Sequence, residues 1–161
     1  MYKRVLVPVD GSEVAEAILP FILDIAGPLD LDVILLRVNR PIPPTTVEGT
    51  RHIEVENIKA RREQAEAYLA GLAAEMQAAG VRAETRVRRG EPLDEILATA
   101  REEDVDLIAM TTHGRTGAAR LLFGSVAEGV LRHAAIPVFL MRQTEREIAR
   151  RRRDAAAAGK T

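Results

Sequence analysis

Cysteine is absent from the 161-residue chain. That excludes disulfide staples, thiolate catalysis and cysteine-ligated zinc or iron–sulfur clusters, and nothing demands an oxidising compartment; a cytoplasmic setting is the default expectation. Aromatic residues are scarce, at 3%, so base-stacking platforms are not suggested. Charge of one sign is lacking as well: the net value is −1, which argues against a broad surface that tracks a phosphate backbone and makes nucleic acid a weak candidate partner. No apolar run approaches the ~20 residues that span a bilayer. The opening Met-Tyr-Lys-Arg-Val-Leu-Val-Pro-Val-Asp breaks at Pro8 and Asp10 before it could serve as a secretion signal. The expectation is a soluble chain with no membrane partner. With 47% hydrophobic residues, a chain of this length buries roughly two-thirds of its unfolded surface as one domain.

Charge is not spread evenly. From Gln143 onward six basic residues (Arg146, Arg150, Arg151, Arg152, Arg153 and Lys160) stand against three acidic ones (Glu145, Glu147 and Asp154), so this tail carries +3 and residues 1–142 carry −4. The division expected is a folded domain over 1–142 and an Arg/Ala-rich extension over 143–161.

Within the domain, short apolar strands alternate with amphipathic helices. Val5–Val9 reads as a strand. Ser12 then caps a helix with Ala15, Ile18, Leu19, Ile22 and Ile25 on one face, kinked at Pro20 and stopped at Gly27-Pro28. Val33–Val38 is apolar at nearly every position, as a strand buried on both faces would be, and a Pro-rich loop follows from Arg40 to Thr50. Ile58, Ala65, Leu69, Leu72 and Met76 mark a long helix closed by Gly80. Val81, Ala83, Thr85 and Val87 alternate with polar residues, which predicts an edge strand, and Gly90 and Pro92 open another helix. A fourth strand over 105–110, a glycine-rich turn, a helix from Ser125 to His133 and a fifth strand over Ile136–Met141 complete the pattern. The fold class expected is α/β: an open, doubly wound, flavodoxin-like parallel sheet of five strands in the order 3-2-1-4-5, with helices on both faces.

The most informative stretch is Met110-Thr-Thr-His-Gly-Arg-Thr-Gly117, followed after six residues by Gly124-Ser125. Glycines between a strand and a helix leave backbone N–H groups open to an anion, at no cost in side-chain ordering. In the expected strand order the crevice lies between strands one and four, and the turns after those strands carry Asp10-Gly11-Ser12 and Thr111-Thr112-His113-Gly114. The leading hypothesis from these residues is nucleotide binding.

Taken together, several motifs resemble the universal stress protein family over about residues 2–142. They are Val-Pro-Val-Asp-Gly-Ser (7–12), Gly-Glu-Pro (90–92), Asp106-Leu-Ile, Thr-His-Gly-Arg-Thr-Gly (112–117), Phe-Gly-Ser-Val-Ala-Glu (123–128) and Ile-Pro-Val (136–138). Adenine-nucleotide-binding members carry Gly-x2-Gly-x9-Gly-Ser/Thr; here Gly114, Gly124 and Ser125 match, and Thr111 stands where the first glycine would be. A side chain at 111 either crowds the ribose or points away. The resemblance implies a stress-response regulator that binds ATP, ADP or AMP. Pro8 and Val9 would line the adenosine pocket and Asp10 would meet a ribose hydroxyl or a Mg ion arriving with ATP. Val38 would offer its backbone to the adenine edge, and Met110 and Thr111 would close the strand end. Gly114, Arg115 and Gly117, with Gly124, Ser125 and Val126, would surround the phosphates. It also implies a homodimer through strand 136–141, for which there is an independent motive, since an apolar strand at a sheet edge needs cover.

Each of these residues has a plainer reading. Asp10 could be a turn aspartate, Val38 a core valine, and the glycines a packing device. His113 reads better as a turn residue than as a phosphoryl acceptor, because nothing in the sequence orients it. His52 and His133 have no partner at metal-ligand spacing, Arg120 is divided evenly between phosphate and solvent, and Asp106, at the far end of its strand, is structural. No catalytic residue is assigned. A slow ATPase or self-phosphorylating protein would draw on Asp10 with a metal and on Thr116 or Ser125, but Gly-x4-Gly-Lys-Ser/Thr is missing. A nucleotide-free adaptor, with the pocket closed by Thr111 and the Arg150–Arg153 segment making contacts, is the remaining alternative.

Overall fold

The computed structural model describes residues 1–41, 51–114, 124–144, 147 and 150. Its elements are β1 (Arg4–Pro8), α1 (Glu13–Glu16), α2 (Leu19–Ala26), β2 (Asp32–Asn39), α3 (Arg51–Ala78), β3 (Ala83–Arg89), α4 (Pro92–Glu102), β4 (Leu107–Gly114), α5 (Ser125–His133) and β5 (Val138–Thr144). The five strands form one parallel sheet in the order β3-β2-β1-β4-β5, as the strand–helix alternation predicts. The middle strands are buried because their residues are apolar on both sides of the pleat. Val5, Val7, Val33, Leu35 and Ala109 point to one face and pack on Ile18, Ile22, Leu69, Ala73 and Met76 of the α1–α3 layer. Leu6, Ile34, Leu36, Ile108 and Met110 point to the other and pack on Ile96, Ala100, Ala127 and Val130 of α4 and α5. Side-chain parity therefore sorts one continuous apolar run into two cores.

Several expectations are corrected. The fourth strand, expected over 105–110, runs Leu107–Gly114, so Thr111, Thr112, His113 and Gly114, read as a turn, continue β4 and pair with Met141–Thr144 of β5. Residues 12–26 form two helices rather than one kinked helix. Ser12 does cap α1, its Oγ accepting from the Ala15 N–H at 3.1 Å. Pro20 has no N–H to donate and sits in the first turn of α2, so the chain restarts there instead of bending. Gly80 ends α3 as expected, with φ +81°; the Val81 N–H reaches back to the Met76 carbonyl at 3.0 Å and the Gly80 N–H to Gln77 at 2.9 Å. The last strand lies about two residues later than its sequence pattern indicates, because Pro137 only contributes its carbonyl, to the Ile108 N–H at 3.1 Å. Asp106 is structural: its Oδ2 accepts from the main-chain N–H groups of Lys3 (2.7 Å) and Arg4 (2.9 Å), tying the start of β4 to the start of β1. Those two bonds hold its carboxyl below the ordinary aspartate range.

Candidate functional site

A cavity of about 460 Å³ opens at the carboxyl edge of the sheet, where β1 and β4 diverge. This is the switch point: α1–α3 cover one face and α4–α5 the other, so no crossover closes the gap. The volume is that of a small-molecule pocket. Pro8, Val9 and Asp10 line it from β1, Val38 from β2, Met110 and Thr111 from β4, and Gly124, Ser125 and Val126 from the entry to α5. These are nine of the twelve residues singled out in the sequence. Gly114 is the last residue of β4, at the same edge of the sheet. Arg115 and Gly117 lie outside the described residues, as do Thr116 and Arg120.

Three sources of polar groups converge on the cavity. The first is main chain. β1 ends at Pro8, opposite Leu36, and the Val9 N–H donates to the Leu36 carbonyl at 2.9 Å. Alternate residues of a strand turn their N–H and C=O to the same side, so Val38, two residues beyond, directs both groups toward the open side past the end of β1. Asn39 faces the opposite way and its carbonyl accepts from the Gly90 N–H at 3.1 Å. The second source is the start of α5. Gly124 occupies the cap position with no side-chain cap bond, at φ −54° and ψ 145°, and a Cβ built there meets nothing within 4 Å. The first N–H groups of this helix consequently face the cavity uncapped, with the positive end of the helix dipole behind them. The third source is side chains. Asp10 lines the cavity, and one of its oxygens, Oδ1, accepts from the Ser12 N–H at 2.9 Å; the turn role and the cavity position coexist. The Oγ1 atoms of Thr111 and Thr112 are buried without a hydrogen-bond partner among the described residues, and both threonines line the cavity. Buried polar atoms are normally paired, so two orphan hydroxyls at one site are informative.

Several cavity residues carry no signal in the sequence motifs. Arg37, Arg40 and Arg61 line the cavity and give it a cationic bias against Asp10, the one carboxylate among the described lining residues. Arg37 interrupts an otherwise apolar strand, which is the one sequence trace it leaves. Its guanidinium lies 5.8 Å from the Tyr68 ring centre, under the turn at Gly11, where φ is +83° and a Cβ would come within 3.1 Å of Nη1. Glycine is needed there on both counts. The Tyr68 hydroxyl donates to Glu16 Oε1 at 2.6 Å; burial, and then this carboxylate, push its phenol well above the usual value. Pro92 and Ile96 of α4 form the apolar floor. Thr111 does not plug the site, because the volume given above remains with its side chain in place.

The fold and the cavity define an open, doubly wound α/β domain with a preformed cavity at its switch point. The chain belongs to the universal stress protein family, whose match spans residues 1–142. A universal stress protein of Methanocaldococcus jannaschii, MJ0531, is 32% identical over 149 residues, covering 91% of this chain and 86% of its own length. The solved structure of protein MJ0577, from the same organism, is 29% identical and covers 89% of this chain and 97% of that one, with a TM-score of 0.72. An Arabidopsis thaliana universal stress protein family protein solved with AMP bound shares the fold at 18% identity, covering 90% of this chain and 94% of that one, with a TM-score of 0.65. No described helix is long and apolar enough to cross a membrane.

Proposed function

We propose that the chain is a cytoplasmic, dimeric regulator of the stress response that binds an adenine nucleotide in the switch-point cavity. The observation that carries this reading is the opposition, across one cavity, of a strand edge with free main-chain donor and acceptor at Val38 and a helix start without a cap at Gly124. The first suits the edge of an adenine, which needs one donor and one acceptor; the second suits phosphate oxygens. Asp10 would take a ribose hydroxyl, and the Thr111 and Thr112 hydroxyls would gain the partners they lack. Gly114, Arg115 and Gly117 are assigned to the phosphate end on the resemblance of their motif. The AMP bound by the Arabidopsis protein of the same fold supports the ligand class.

Magnesium fits only as an ion carried by the triphosphate. Among the described residues no three carboxylate or histidine groups cluster as a metal site, and Asp10 is the one carboxylate among the described lining residues, as suits a Mg²⁺ ion held mainly by phosphates. The ion would neutralise phosphate charge. β5 is an edge of the sheet, and pairing it with its counterpart in a second subunit would bury Ile136, Val138 and Leu140 further.

Thermal melting with ATP, ADP and AMP, each with and without Mg²⁺, tests the site. A ligand at one hundred times its Kd adds about 2.7 kcal/mol, so a clear rise in Tm is expected. Gly124→Val should abolish that rise while leaving the unliganded melt near its original value, because its backbone angles admit any residue and its Cβ enters open space. A variant that still responds fully would place the ligand elsewhere, and a wild-type protein with no response would favour the nucleotide-free adaptor.

A further inference from the structure

A second hollow, of about 250 Å³, lies beside the first at the carboxyl ends of β2 and β3, roofed by α3. Five arginines line it, Arg40, Arg61, Arg62, Arg88 and Arg89, and no acidic residue is among the described lining residues. Ile58 and Val87 supply an apolar wall. We propose that this arginine-lined hollow, which shares Asn39, Arg40 and Arg61 with the first cavity, is a second ligand site that binds a phosphoryl oxyanion.

The charge arrangement is the argument. Elsewhere Arg82 is paired with Asp30 and Asp32, Arg86 with Glu84 and Glu103, and Arg132 with Glu128, while Arg37, Arg101 and Arg142 have no carboxylate partner among the described residues but do not cluster around one hollow. At the hollow, Arg88 is held by Glu95 at 2.9 Å and Glu102 at 2.8 Å, and Arg62 meets Glu66 at 2.8 Å. Arg40, Arg61 and Arg89 have no carboxylate partner among the described residues. Arg61 instead directs Nη1 to the Arg40 carbonyl at 3.4 Å, and its own carbonyl accepts from Asn39 Nδ2 at 3.2 Å. Both contacts are to neutral groups, so they orient the helix against the strand end without cancelling charge. Three guanidinium groups without a carboxylate partner among the described residues, around one small hollow, repel one another, and a multiply charged anion between them removes that repulsion. Arginine is suited to this role because its planar fork donates two parallel bonds to phosphate oxygens. A tetrahedral oxyanion presents its acceptor oxygens out of a single plane, whereas the two oxygens of a carboxylate are coplanar. The place is also favourable, since it lies outside the carboxyl ends of parallel strands. The side chains are largely exposed, so binding should weaken steeply with salt.

Arg40 and Arg61 border both cavities, so the test turns on Arg89, which keeps the two apart. Pyrophosphate is titrated calorimetrically at low ionic strength into full-length Gly124→Val protein, whose substitution adds bulk to the wall of the first cavity, and into the same protein carrying Arg89→Gln. Arg89 lines only the second hollow. Saturable binding in Gly124→Val, weakened about tenfold by Arg89→Gln and restored only in part by Arg89→Lys, is expected. Without anion, Arg89→Gln should melt at or slightly above the parent temperature, since it removes a repelling charge. AMP is titrated in parallel to identify the source of the phosphate. AMP binding tighter than pyrophosphate and dependent on Arg89 supports a phosphate carried on an organic ligand, and the reverse order with the same dependence supports a free oxyanion. No binding of either probe to Gly124→Val protein, or binding indifferent to Arg89→Gln, overturns the proposal.

Discussion

Gly129 illustrates how much a single missing side chain can decide. It lies inside α5, where glycine is otherwise unfavourable by about 1 kcal/mol relative to alanine, and a Cβ there would meet Leu93 Cδ2 at 2.7 Å and Cδ1 at 3.0 Å. The glycine is what lets α5 approach α4. Gly129→Val should therefore destabilise the fold by about 1–3 kcal/mol through overpacking, read as a lower urea midpoint with unchanged slope; an unchanged midpoint would mean that Leu93 rotates away freely. Nothing in the sequence identifies this role, because an isolated helical glycine looks the same whether it packs or merely weakens the helix. Asp106 is the opposite case: its position at the start of a strand, remote from the glycine turns, sufficed to assign it to structure. Arg37 left only a polar letter in an apolar run, and its place under Gly11 depends on a contact between segments that the sequence does not juxtapose.

Among the elements, those with the strongest periodicity were the most legible. Helix α5 begins at Ser125 and ends at His133 as read, and the apolar face of α3 expected at Ala65, Leu69 and Met76 is buried. Boundaries set by hydrogen bonding were less legible: the α1–α2 break and the late start of β5 follow from what prolines cannot donate, which spacing does not encode. β5 also carries a test of the proposed dimer. Register pairs Ile108 with Val138, and the Pro137 carbonyl faces β4, so Leu140, three residues on, turns its N–H outward. Leu140→Pro removes that donor while sparing the ladder to β4. Light scattering should report a monomer with native circular dichroism; an undiminished dimer would exclude pairing through this edge.

At the scale of the whole molecule, topology was the most legible feature. Alternating apolar runs and amphipathic helices leave few right-handed arrangements, and the switch point then follows from strand order alone. The cationic lining did not follow, since Arg40 and Arg61 come from elements that meet only after folding. Acid stability is likewise a property of the assembled sheet. Arg86 first, then the charges of Arg4 and Arg88, hold the Glu103 carboxyl below its usual 4.5, and main-chain N–H groups hold Asp106 below its usual 3.8. Carboxyls depressed on folding contribute stability that is fully present above their unfolded values and lost as pH falls through the folded ones. Denaturation should accordingly steepen below about pH 4.5, and Asp106→Asn should flatten the acid limb while lowering stability at neutral pH; an acid limb unchanged in the variant would remove Asp106 from this account.

The outward turn of Val38 at the end of β2 has a consequence for inheritance. A recognition surface made of peptide groups, as proposed for Val38, tolerates change in the codon that encodes it: any residue but proline, which has no N–H, alters bulk and leaves donor and acceptor where the ladder puts them. Selectivity written in the sheet's own hydrogen-bond rhythm can thus persist through sequence drift for as long as β2 and β3 stay zipped together.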